Sequence, residues 1–359
     1  MSTEVSRLTG AVPAVRVFGL SARLRVRHLT VIGIGLVLAL AVAVISAGTG
    51  DYRIPPGRVI AVLLGRGNPM EELVLTTIRL PRVLLGLVVG AALGVSGAIV
   101  QATARNALAS PDLLGVTAGA SVGAVTVIVI GGDGASSGLL RSVGLPAAAL
   151  IGAGLATGGV LILLRRTGAD GLRPLLVGIG VSAFLSGIVS WLMVAATVDD
   201  AARANLWLTG TLNGRSWPEF WSATAALAVI GPPLVVLAPR LLTLRLGIDV
   251  ARGLGLATGR TQTMLLMAAV VLAGATTAVA GPIGFVALVV PHLARLATGA
   301  AGPPLAASAV LGALLLVTAD LVARTAFAPI QIPTGAVTAF VGAPFLIWLL
   351  VRHRKGVLS

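Results

Sequence analysis

The chain contains no cysteine, one lysine and three histidines. Without cysteine it has no disulfides, no thiolate metal sites and no thiol nucleophile. His28, His292 and His353 stand far apart, so a histidine metal centre is not expected, nor any cofactor bound by the chain itself. The lone Lys355 sits four residues from the C-terminus. A P-loop ATPase needs a lysine inside its glycine-rich phosphate turn, and that lysine is missing. Charge is sparse too: charged residues are 11% of 359 positions, hydrophobic residues 57%, and the mean hydropathy is +1.02. A soluble domain cannot hide that much apolar surface, so the surrounding solvent is lipid.

In place of lysine the chain uses 25 arginines, giving a net charge of +14. They gather at the ends of apolar runs and form no continuous stripe, which suits membrane topology better than nucleic acid. The 46 glycines fit a polytopic bundle, where small residues let helices approach closely.

Apolar runs predict spans over about 29–47, 80–104, 113–131, 144–164, 174–197, 217–238, 262–280, 282–297, 304–327 and 334–351. Each is near the ~20 residues that cross ~30 Å of hydrocarbon. The expected fold is all-α, a polytopic transmembrane helix bundle of about ten spans. Ten spans put both termini on one side, which then holds 17 basic residues against 9 on the other, and the excess marks the cytoplasm. The expected organisation is a basic cytoplasmic segment 1–28, a transmembrane domain 29–352 and a cytoplasmic tail 353–359. The first run exceeds a usual signal-peptide core, so it reads as an uncleaved first span. Pro282, Gly284 and Pro291 interrupt the eighth span, which requires its freed backbone groups to face protein or water. Ser110-Pro111-Asp112 has the composition of a helix start, with a capping hydroxyl, proline first and an acid in the first turn. Gly90 and Gly97 are spaced like Gly274 and Gly281, a faint echo of the internal duplication found in transporters.

Three stretches in order carry a resemblance. The first runs from Arg79-Leu80-Pro81-Arg82 through Gly90-Ala91 to Arg105-Asn106-Ala107-Leu108-Ala109-Ser110-Pro111-Asp112. The second is Gly281-Pro282-Ile283-Gly284-Phe285-Val286 with Val290-Pro291-His292. The third is Ala319-Asp320 to Arg324, then Pro333-Thr334-Gly335 and Gly342-Ala343-Pro344. Together they resemble the permeases of iron-siderophore, haem and cobalamin ATP-binding-cassette importers of the type II class. Ala107 stands where that family usually has proline, and Ser110 where it usually has an acid.

The resemblance implies a permease subunit in the bacterial cytoplasmic membrane, surrounded by lipid; the placement of the basic residues at span ends gives no expectation of a nucleic-acid partner. Its implied partners are ATPase subunits holding ATP and Mg, an extracytoplasmic substrate-binding lipoprotein and a second permease, with a heterodimer favoured over a homodimer. The implied cargo is a ferric siderophore, with cobalamin or haem as alternatives. Arg79, Arg82 and Arg324 would receive glutamates of the binding protein. Asp320 and Arg324 are also four apart, so a purely stabilising i,i+4 pair is an equal reading. Gly247-Ile248-Asp249-Val250-Ala251-Arg252-Gly253-Leu254-Gly255 resembles the loop that couples to the ATPase, within about 240–260. Gly247, Asp249, Ala251, Leu254 and Gly255 carry that match, and Ala251 would face the ATPase groove; the same loop alone reads as a solvated interfacial turn. Gly90, Gly97, Gly281, Pro282, Gly284, Pro291 and Asp320 belong to the packing motifs. Two rivals are an ion-coupled secondary transporter, which wants acids deep in the bundle, and an intramembrane enzyme using Asp199-Asp200.

Overall fold

The computed structural model describes residues 14–17, 20–23, 26–131, 139–167, 173–300 and 302–355. Most of the expected basic segment 1–28 and tail residues 356–359 lie outside these. Two short antiparallel strands, β1 (Ala14–Val17) and β2 (Leu20–Arg23), are the only strands among the described residues. Everything else regular is helix.

Helix α1 (Val26–Gly48) runs 23 residues, about 35 Å at the α-helical rise. Outside it stand α2 (Pro56–Leu63) and the single turn α3 (Pro69–Glu72), each opened by proline. Asn68 and Glu71 close a reciprocal capping box on α3, at 2.8 and 3.2 Å. Arg58 then ties α2 to α3 by two hydrogen bonds to the Glu71 carboxylate, at 3.2 and 2.5 Å. The chain continues without a break into a π-helical stretch, Leu73–Arg79, and α4 (Leu80–Ala104). Pro81 accounts for the wide turns: it lacks an N–H, and its ring needs room from the carbonyl one turn back. The Leu80 N–H reaches Leu75 O, five residues back. The second span therefore starts about a dozen residues earlier than expected.

A 3-10 turn (Pro111–Leu114) leads into α5 (Val116–Ile130), followed by α6 (Leu139–Thr167), α7 (Arg173–Ala195) and α8 (Val198–Leu208). Next come α9 (Trp217–Arg245), α10 (Ile248–Gly253), α11 (Thr258–Ala280), α12 (Val286–Thr298), α13 (Leu305–Thr325) and α14 (Thr334–Lys355). Among the described residues seven helices are long and apolar enough to cross a membrane, and three shorter apolar ones lie at Val116–Ile130, Val286–Thr298 and Thr334–Leu349. Each expected span corresponds to one of these ten. The start expected at Ser110 is displaced: its side chain makes no cap bond, and α5 begins only after Gly115 turns at φ 74°.

Helix α4 is the axis of the bundle. Gly90, Gly94 and Gly97 share one helical face, and a Cβ there would collide with the carbonyls of Gly312, Ser308 and Ala287. Bare backbone thus brings α13 and α12 onto α4. Ser96 Oγ donates to Ala269 O of α11 at 2.6 Å, and Gln101 Nε2 to Leu288 O of α12 at 2.8 Å. Gly274, the echo of Gly90, meets only side chains at ordinary distance, so the two positions do not pack alike.

The interruption expected at Pro282 and Gly284 lies between α11 and α12, whereas Pro291, expected to interrupt as well, sits inside the continuous helix α12. Gly281 has φ 73°, Phe285 φ 67°, and α12 resumes with 13 residues, about 20 Å long. A loop from elsewhere satisfies one freed carbonyl, Thr211 N–H donating to Ala280 O at 2.8 Å, and that loop is itself held by Gly335 N–H, which donates to Gly210 O at 2.9 Å. Gly281 lies against Trp207 O and Gly210 against Pro282 O, approaches closed to any side chain. Gly284, by contrast, faces open space.

Candidate functional site

The bundle has two polar ends. One carries the starts of α1 and α13 and the ends of α4, α9 and α12, where Arg27 Nε donates to Ala297 O at 2.8 Å; it is called the terminus end below. The other, the far end, gathers the loop after α1, the start of α4, the loop 209–216 and the turn between α13 and α14.

Asp320 on α13 is the centre of the far end. It is buried, and Arg82 of α4 grips it through Nε at 3.2 and 3.1 Å and through Nη2 at 2.9 Å. Thr334, at the start of α14, donates its hydroxyl to the same carboxylate at 3.0 Å. Arg324 Nε, one turn along α13, stands 3.4 Å from the other oxygen. The remaining Arg82 nitrogen donates to Asn213 Oδ1 at 3.0 Å and Gln331 Oε1 at 3.3 Å. One carboxylate therefore fastens α4, α13 and α14 to both neighbouring loops. Such charge-assisted bonds are among the stronger ones, because a planar fork meets two oxygens at once.

Arg79 and Arg324 are committed inward as well. Arg79 donates to Ala47 O at 3.0 Å and Tyr52 O at 2.6 Å. Arg324 donates to Ser46 O at 3.0 Å, Thr49 O at 3.4 Å and the Ser46 hydroxyl. Both close the C-terminal end of α1, whose last carbonyls lack helical donors. Arg79 and Arg82, expected to receive glutamates of the binding protein, are both buried within the bundle, where the early start of their helix places them. The expected Asp320–Arg324 pair is present, but the closer partner, Arg82, lies 238 residues away.

A cavity of about 490 Å³ adjoins this cluster and is lined by Trp207, Thr209, Thr211, Asn213, Arg215 and Gln331 among others. Asn213 and Gln331 also hold Arg82, so cluster and cavity share a wall. Burial pushes the Arg215 pKa down, opposed by the nearby Glu219 carboxylate. Sequence reasoning passed over Asn213, Gln331 and Arg215, and it quoted Thr334 within the Pro333-Thr334-Gly335 stretch without giving its hydroxyl a role.

At the terminus end the segment matching the coupling loop forms the short helix α10. Gly247 opens it at φ 121° and Gly255 follows it at φ 81°, both conformations that favour glycine. Ala251 is fully buried with Leu241, Leu244 and Leu265. It was expected on the outward face; the helix turns it inward to seat on α9 and α11. Leu246, Val250 and Leu254 face out, spaced four apart, with Asp249 also exposed and its carboxylate 3.7 Å from Arg252. Pro291 lies inside α12 and lines a second cavity at this end, with Gln101, Arg105, Arg245 and Arg295.

Residues 36–352 match the FecCD transport family. The chain belongs to that family. As a FecCD chain it is a multi-pass membrane permease, in keeping with the ten apolar helices among its described residues. It is 40% identical over 320 residues to YfhA of Bacillus subtilis (strain 168), named as a probable siderophore transport system permease, covering 89% of this chain and 93% of that one. It is 38% identical over 330 residues to the ferric enterobactin transport system permease FepG of Escherichia coli (strain K12), covering 92% and 98%. Among solved structures it is similar to an inward-facing metal-chelate type ABC transporter, with TM-score 0.78 and 26% identity over 90% of this chain and 99% of that one.

Proposed function

We propose that this FecCD chain is the membrane-spanning half of an ATP-driven importer that carries ferric siderophores by alternating access. The observation that carries the reading is its identity with siderophore permeases over nearly the full length of both chains. The chain supplies no P-loop lysine, so separate ATPase subunits bind ATP and Mg. A second, related permease completes the path, and a binding lipoprotein delivers the chelate at the far end. The basic excess at the terminus end puts both termini in the cytoplasm. ATP binding shifts the bundle between outward and inward states only through unequal affinity for the two.

Docking then rests on charge excess instead of free forks. Arg79, Arg82 and Arg324 outnumber the single buried carboxylate of Asp320, which leaves a positive field for carboxylates of the binding protein. On the opposite side Leu246, Val250 and Leu254, with Asp249, form the ridge that meets the ATPase groove, while Gly247, Ala251 and Gly255 set its angle. Asp320 is neutralised by two arginines, so it is not a free carboxylate for a coupling proton or sodium ion.

The test is uptake by a host strain lacking this gene, complemented or not, given radio-iron on hydroxamate or catecholate chelators and, separately, labelled cobalamin. Loss of ferric-chelate uptake alone is expected. Normal ferric uptake with loss of cobalamin uptake would replace the cargo, and normal uptake of both would overturn the importer reading.

A further inference from the structure

The terminus-end cavity holds about 310 Å³ and is lined by Arg105, Arg245 and Arg295, with no acid on its wall. Its floor comes from the ends of α4, α9 and α12 and its rim from Gly302, Pro303 and Pro304. Three guanidinium groups around one small space repel each other unless an anion sits between them. No acid among the described residues lining the cavity supplies it. Arg105 donates one N–H to Leu244 O at 2.7 Å, and Arg295 one to Gln101 Oε1 at 3.0 Å. Each keeps further N–H donors, since a guanidinium carries five. Arg245 makes no side-chain hydrogen bond or ion pair among the described residues.

The surroundings say which anion. Arg105, Arg245 and Arg295 all lie at the ends of apolar helices, the depth of the phosphate layer of a bilayer. Leu242, one turn before Arg245, packs against Gly302 on the rim and is more than half exposed. Val235, seven residues earlier on the same face, is equally exposed. An open apolar track thus climbs α9 and ends at the cationic cavity. The volume is at the small end of ligand pockets, right for a phosphoglycerol head and tight for a bulky chelate. We infer that this cavity binds the phosphate of an anionic phospholipid headgroup, with an acyl chain lying along Val235 and Leu242.

The test uses the purified permease in neutral detergent, alone and with its ATPase subunits. Retention of phosphatidylglycerol and of phosphatidylcholine with matched chains is compared by native mass spectrometry. Phosphatidylglycerol should be held at least fivefold more tightly, and Arg245→Gln should cut that preference about fivefold, near the contribution of one cation at a membrane surface. Arg245→Gln/Arg295→Gln should abolish it, and Arg260→Gln, an arginine off the cavity wall, should leave it intact and so control for general loss of charge. Equal retention of the two lipids, or retention unchanged in Arg245→Gln, overturns the inference. Inorganic phosphate displacing the lipid at low millimolar concentration would make this a free-anion site. Loss of ATPase binding in Arg245→Gln with lipid preference intact would give the cavity to a partner carboxylate. Both outcomes overturn the lipid assignment without touching the importer reading.

Discussion

At the far end Arg79, Arg82 and Arg324 donate into Asp320 and the last carbonyls of α1, whereas at the terminus end Arg105, Arg245 and Arg295 share a cavity with no acid on its wall. The same residue type does two kinds of work. Where its donors are taken up within the chain it joins helices, and a change there disturbs the fold. Where donors are left over and no acid stands near, it waits for something outside the chain, and a change there disturbs binding. Burial and an internal carboxylate, not the arginine itself, separate the two.

The largest effect expected is at Asp320. Asp320→Asn leaves Arg82 and Arg324 buried without a counter-charge, and breaking a buried pair costs about 3–5 kcal/mol. Unfolding of the purified protein in detergent should shift accordingly, while Arg245→Gln should unfold like wild type. If the two variants unfold alike, the contrast between the ends is wrong. A middle-sized effect sharpens the terminus end. Ala251→Glu should destabilise by about 1–3 kcal/mol from overpacking alone, with the buried charge adding to it. Leu254→Asp, on the exposed side of the same short helix, should leave unfolding unchanged and reduce co-purification of the ATPase subunits. Similar unfolding of these two would show that α10 does not have the inside and outside described. The smallest effect belongs to Asp249→Asn. Its carboxylate is 3.7 Å from Arg252 and both side chains are well exposed, so stability should move by no more than about 0.5 kcal/mol.

Much of the fold was legible because apolar runs are local. All ten spans and the break at Pro282 and Gly284 could be read from windows of some twenty residues, although Pro291, read as part of the break, lies within α12. The site was legible only where its parts are neighbours in sequence. Asp320 and Arg324, four apart, announce themselves; Arg82 does not, because its partner is fixed by the packing of α4 on α13. That packing depends on Gly90 and Gly94 facing Gly312 and Ser308, a match of two backbones that no single window contains. The inward turn of Ala251 is hidden for a related reason. A six-residue helix has no periodicity long enough to tell its faces apart, and the glycines on either side set its rotation.

The distance between Arg82 and Asp320 along the chain also bears on how the protein is made. A ribosome adding 5–20 residues each second takes roughly 10–50 s to travel the 238 residues between them. Through that interval α4 is already synthesised and carries a guanidinium whose counter-charge does not yet exist. The long flexible stem of Arg82 lets it reach back to the headgroups in the meantime. Only when α13 arrives can the glycine face of α4 be covered and the cation drawn in.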